Sequence, residues 1–146
     1  VETKKGESVM DKYCCDKDLS FELYKRGIFT AETLNIWVKK IYPNGDIMRY
    51  ELLPQKYHDD YFGMYEMFSA PTSEELLEKM PAYIGSKAYG QLRIKKVLII
   101  GESDYGYCVV YEGLRSNTGM KLSNVLAKMI VWIYDNNLVD VKGENN

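Results

Sequence analysis

The chain has 146 residues, of which 46% are hydrophobic and 27% charged, and its formal net charge is -2. That length and composition suit one hydrophobic core and exclude a fibrous or wholly disordered chain. So small a net charge gives no long-range field, so a nucleic-acid or membrane partner would have to be held by a local patch.

Three cysteines, Cys14, Cys15 and Cys108, cannot all pair, and adjacent ones rarely bridge each other, so the expected compartment is a reducing cytoplasm. No stretch has the pattern of a secretory leader, and no apolar run approaches the length of a bilayer span. Residues 1–14 read as a polar arm in which Met10 offers an alternative start, 15–139 as a single domain, and 140–146 as a polar tail.

The first element is a short helix over residues 19–26. Leu19 and Leu23 lie four apart, Asp16 or Asp18 can cap it, and Gly27 supplies a left-handed stop. Leu34, Trp37, Val38 and Ile41 then fall at i, i+3, i+4 and i+7, which predicts a second helix capped by Thr30 and stopped by Pro43-Asn44-Gly45. From residue 46 to 53 apolar and charged residues alternate, as in a strand with one wet face, and Pro54 ends it. Residues 55–61 read as a polar connection and 63–69 as a strand that pairs with the preceding one in a hairpin.

Thr72 and Glu75 form a capping box ahead of Leu76, Leu77 and Met80, and Pro81 limits that helix. Residues 92–100 and 105–112 are β-prone runs joined by Gly101-Glu102-Ser103-Asp104, a second hairpin. The last helix covers residues 122–136, with Leu122, Val125, Leu126, Met129, Ile130 and Ile133 on one face and Asn136 and Asn137 at its end. The expected order is α-α-β-β-α-β-β-α, an α+β fold in which an antiparallel sheet built from two hairpins carries helices packed on it. The β-β-α unit occurs twice, without a residue pattern that aligns the copies.

His58 is the sole histidine, which removes any mechanism that needs a histidine pair. His58-Asp59-Asp60 reads as a solvated loop in preference to a metal site, and Cys14, Cys15, Cys108 and His58 lack zinc-ligand spacing. A cysteine-histidine nucleophilic pair has no local motif to support it, and buried, inert thiols are the favoured state. Gly101 and Gly106 stand at a phosphate-loop interval without the lysine that such a loop needs, and Ser103 has no nucleophile elbow. Glu74, Glu75 and Glu78 are explained by the helix start. The chain is accordingly expected to be non-enzymatic, with no catalytic residue, no metal and no cofactor assigned.

Two features concern binding. Among 13 tyrosines, Tyr105, Tyr107 and Tyr111 share one parity of a strand with Val109, either as a contact surface or, the favoured reading, as cross-strand packing under a helix. The second feature is charge: residues 87–128 hold seven bases against three acids, and residues 54–86 two bases against six acids. Such polarity would guide a partner of opposite sign or two copies head to tail, although a solvated face is the commoner explanation. Arg93, Lys95 and Lys96 are the bases that would serve nucleic acid. Helix-turn-helix binding is disfavoured because the second expected helix offers only Lys39 and Lys40 to phosphate.

Several segments together resemble short uncharacterised proteins encoded by prophages and mobile elements of Bacteroides-type gut bacteria. They are Leu19-x-x-x-Leu23-Tyr24-Lys25-x-Gly27-Ile28, Trp37-Val38, Pro71-Thr72 before Leu76-Leu77, and Leu126-Ala127-Lys128-Met129-Ile130-x-Trp132-Ile133-Tyr134-Asp135-Asn136-Asn137-Leu138. The likeness spans residues 15–139 and is strongest in the closing helix. It implies an intracellular bacterial or phage protein that acts through contacts, and it transfers no catalytic residue. The expectation is therefore a protein-interaction module that binds a protein partner or itself. Single-stranded nucleic-acid binding is the alternative, and a hydrolase that joins His58 to Cys108 or a carboxylate stands third.

Overall fold

The computed structural model describes residues 9–29, 33–85 and 90–138. The chain divides into two compact units, residues 1–72 and 73–146. Each contains a three-stranded antiparallel sheet, and the α+β class expected from the sequence is the class observed.

In the first unit a helical turn, α1 (Val9–Tyr13), precedes α2 (Lys17–Lys25). Part of the expected polar arm is thus built into the unit: Cys14 is buried and bridges Thr72. Residues 1–8 of the arm and the whole polar tail lie outside the described residues, as does Thr30. α2 ends as the sequence predicts. Gly27, at φ +71°, lets its own N–H reach the Tyr24 carbonyl and the Ile28 N–H reach that of Leu23, which satisfies two carbonyls the helix leaves free.

The expected second helix is a strand. β1 (Asn35–Ile41) pairs with β2 (Ile47–Pro54) on one side and β3 (Glu66–Ser69) on the other, so the sheet order is β2-β1-β3. The hairpin is formed by β1 and β2, and the pairing expected between β2 and β3 is absent among the described residues, because β1 lies between them. A central strand is apolar on both faces, and Ile36 and Val38 are buried on one while Trp37 is half-buried on the other. With Leu34 before it and Ile41 after it, the apolar run Ile36-Trp37-Val38 mimics a helical stripe, and the β-branched Ile36, Val38 and Ile41 decide for the strand.

α2 packs across the Trp37 face. Phe21 meets Phe68 edge to face at 5.5 Å between centroids, Tyr24 and Tyr50 flank the same ring at 5.9 and 6.3 Å, and the Trp37 indole N–H donates to the Cys15 carbonyl at 3.0 Å. Between β2 and β3 the expected connection contains a 3-10 turn (Gln55–Tyr57) and a single helical turn, α3 (His58–Tyr61).

The second unit opens with α4 (Ser73–Glu78), which follows the predicted capping sequence. β4 (Leu92–Leu98) and β5 (Tyr105–Tyr111) form the predicted hairpin. A third strand, β6 (Arg115–Gly119), pairs with β5 and was not expected, because Arg-Ser-Asn-Thr-Gly shows no apolar alternation. α5 (Leu122–Asp135) buries Val125, Leu126, Met129, Ile130 and Ile133 and packs against α4, β5 and β6. It closes with Asn137 at φ +52°, whose N–H bonds to the Tyr134 carbonyl while the Leu138 N–H bonds to that of Ile133. Among the described residues no helix is long and apolar enough to cross a membrane.

Candidate functional site

The β4–β5 hairpin carries every residue singled out for binding. Its register runs from Leu92 opposite Tyr111 to Leu98 opposite Tyr105, so Tyr105, Tyr107, Val109 and Tyr111 of β5 share a face with Leu92, Ile94, Lys96 and Leu98 of β4. α5 covers one end of that face only. Val109 and Tyr111 are wholly buried, Tyr107 is half-buried and Tyr105 is 64% exposed. Tyr111 belongs to the core, where its hydroxyl donates to the Pro81 carbonyl at 2.8 Å, so it is no surface contact. Cross-strand packing under a helix accounts for it and for Val109.

Strand alternation also divides the three bases. Arg93 and Lys95 project from the face opposite the tyrosines, and Lys96 alone shares theirs, directly across from Tyr107. Arg93 is further held by Glu112 at 2.9 Å. The bases therefore do not line the aromatic face as one strip.

What the sequence reading missed stands at the open end of the hairpin. Leu98 is 71% exposed, Ile100 is completely exposed, and Leu98 lies opposite the exposed Tyr105. The signal was the run Val97-Leu98-Ile99-Ile100, four apolar residues at the end of a strand whose helix covers one face.

Among the described residues β4 is also an edge strand, with β5 on one side and only the Tyr83–Gln91 bridge at the start of the other. The Leu92 N–H points outward, to the Ala82 carbonyl at 2.9 Å, whereas the Gln91 carbonyl points inward and accepts from Glu112 at 3.1 Å. Backbone groups alternate in direction along an antiparallel strand, so Ile94, Lys96 and Leu98 also present N–H and C=O outward. Among the described residues nothing pairs with them.

The first unit has a polar cleft of about 660 Å³ whose walls include Asp11, Asp16, Lys17, Trp37, Tyr50 and Glu51. Its charges are largely paired within the unit: Lys17 with Asp18 at 3.3 Å, and Glu51 with Arg49 at 3.1 Å and with Lys40 at 3.2 Å. Burial alone would raise the Glu51 carboxyl, but hydrogen bonds and charge from Lys40 and Arg49 outweigh it and hold the group below the usual range. Lys40 is raised: burial works against its charge, and Glu51 and Tyr61 more than offset it.

His58 sits on α3 with its Nδ1 3.3 Å from Asp59, a carboxylate fully open to water, and its ring 5.6 Å from that of Phe62. Cys14 and Cys15 are buried, Cys108 on β5 is half-buried, and none of the three forms a disulfide. Among the described residues no three His, Cys, Asp or Glu side chains gather closely enough to hold a metal ion. No family model, curated protein or solved structure matches the chain.

Proposed function

We propose that the chain is a non-enzymatic protein-interaction module that works in the bacterial cytoplasm and derives from a phage or mobile element. The observation that carries this reading is the exposed apolar end of the β4–β5 hairpin, where Leu98, Ile100 and Tyr105 face water at one end of the three-stranded sheet. Exposed aliphatic and aromatic side chains gathered in one place are the usual mark of a contact surface. Three cysteines without a disulfide fit a reducing compartment, and the phage or mobile-element source rests on the resemblance of the sequence segments alone.

The test replaces Leu98, Ile100 and Tyr105 together by alanine and compares the variant with the wild-type chain. Association is read by sedimentation and by cross-linking to host proteins. Loss of association with an unchanged circular dichroism spectrum supports the reading, and identical association in both chains overturns it.

A second reading, binding of single-stranded nucleic acid, is favoured by one feature: Lys96 lies opposite Tyr107 and next to the exposed Tyr105 on one face. It requires an affinity for DNA or RNA that falls steeply with salt and drops on replacing Lys96 or Tyr105. No mobility shift at low salt removes it.

A further inference from the structure

We infer that the partner bound by this hairpin is a second copy of the chain, joined along the free edge of β4 in antiparallel fashion so that two three-stranded sheets become one of six strands. The inference rests on the interaction reading above and narrows it to one partner and one mode of contact. Ile94, Lys96 and Leu98 hold three outward N–H and C=O pairs that nothing occupies among the described residues. Such an edge is a template for another strand. The side chains beside it are apolar and open: Ile94 is 39% exposed, Leu98 71%, and Ile100 fully.

Charge selects the occupant and its direction. Lys95 and Lys96 on the strand, and Glu102 and Asp104 in the turn that follows, are all exposed and make no ion pair among the described residues. A mate running parallel would set lysines beside lysines. An antiparallel mate, related by a two-fold axis at Leu98, sets Lys96 of one copy across from Ile100 of the other and brings the acidic turn, Glu102 first, alongside Ile94, Lys95 and Lys96. The symmetry repeats that pairing at the other end. Leu98 of each copy then lies at the axis, with Ile94 of one copy diagonal to Ile100 of the other, and the most exposed aliphatic groups of the unit leave water together.

The edge can be blocked without touching the sheet. Because the Lys96 N–H points away from β5, Lys96→Pro removes a donor from the dimer contact only, a placement that edge strands tolerate. Sedimentation equilibrium on the full chain is expected to show a concentration-dependent dimer that Lys96→Pro weakens by about tenfold or more, with the melting temperature of the monomer little changed. Two charge variants, Lys95→Glu with Lys96→Glu and Glu102→Lys with Asp104→Lys, should each be monomeric alone and form a heterodimer when mixed, since mixing restores opposite signs at both ends.

A wild-type chain that stays monomeric overturns the inference. So does a dimer indifferent to Lys96→Pro, or charge variants that fail to complement. The broader reading fails separately: a monomer that still captures a host protein through Leu98, Ile100 and Tyr105, or a dimer that depends on those three but not on Lys96→Pro, leaves the interaction module standing and removes edge pairing alone.

Discussion

The Tyr111 hydroxyl donates a hydrogen bond of 2.8 Å to the carbonyl oxygen of Pro81, tying the last residue of β5 to the segment that follows α4. The ring is completely buried, and burial pushes its phenol above the usual tyrosine value of 10.0. A group that binds its proton more tightly in the folded chain makes folding less favourable once the pH passes its unfolded value, because the unfolded chain then ionises and the folded one does not. Tyr111→Phe should cost about 1 kcal/mol at neutral pH, through the lost hydrogen bond and the unsatisfied carbonyl. The gap between variant and wild type should close as the pH rises above 10.0. Urea denaturation at neutral and alkaline pH measures both, and a gap that stays constant would show that the phenol is not held neutral.

Lys40 links Glu51 on the neighbouring strand to Tyr61 on α3: its ammonium lies 3.2 Å from the carboxylate and 4.9 Å above the tyrosine ring. The lowered Glu51 contributes stability that is present above its unfolded value of 4.5 and lost as the pH falls through the folded value. The raised Lys40 contributes stability that is present below 10.5 and lost as the pH rises through its folded value. Glu51→Gln should therefore cost about 1 kcal/mol at neutral pH, and more than an exposed pair would, because Lys40 is 13% exposed and loses its counter-charge. In strong acid the two chains should unfold at the same denaturant concentration.

Ile84 and Gly90 hold each other through the Ile84 N–H and the Gly90 carbonyl at 2.9 Å. Gly90 has φ +71°, and a Cβ there would run into the Ile84 carbonyl oxygen and press on Leu114. Backbone strain and collision act together, so Gly90→Ala should destabilise the chain by about 1–3 kcal/mol. Thermal or urea unfolding checks it. A neutral effect would mean that Ile84 moves aside freely.

Elements that carry their own signal were legible in the sequence. α5 shows a five-residue buried stripe and an asparagine cap, α4 follows its capping box, and the β4–β5 hairpin has β-prone runs around a glycine turn. β1 was not legible, because Ile36, Trp37 and Val38 are apolar on both faces and hide the alternation, and Leu34, Trp37, Val38 and Ile41 fall by coincidence at helical spacing although Leu34 is 69% exposed. β6 has almost no apolar content and is a strand because β5 offers it a ladder, a tertiary cause that its own residues do not record. The candidate site was half legible: the tyrosine parity is correct, but only α5 decides that Tyr111 is core and Tyr105 surface. Likewise the open edge of β4 depends on which strands fail to pair with it, which no local pattern states.

Ser123, the second residue of α5, is wholly buried, and among the described residues its hydroxyl has no hydrogen-bond partner. A buried hydroxyl without a partner loses its hydration and recovers nothing, a penalty of about 1–3 kcal/mol. Alanine is also the better helix former. Ser123→Ala should accordingly leave stability unchanged or raise it by about 1 kcal/mol, whereas Leu126→Ala on the same buried face should cost about 2–5 kcal/mol by opening a cavity. Paired denaturation curves for the two variants separate these outcomes. A loss of more than about 1 kcal/mol for Ser123→Ala would mean that the hydroxyl is satisfied by an ordered water in the folded chain, since only a made hydrogen bond is costly to remove.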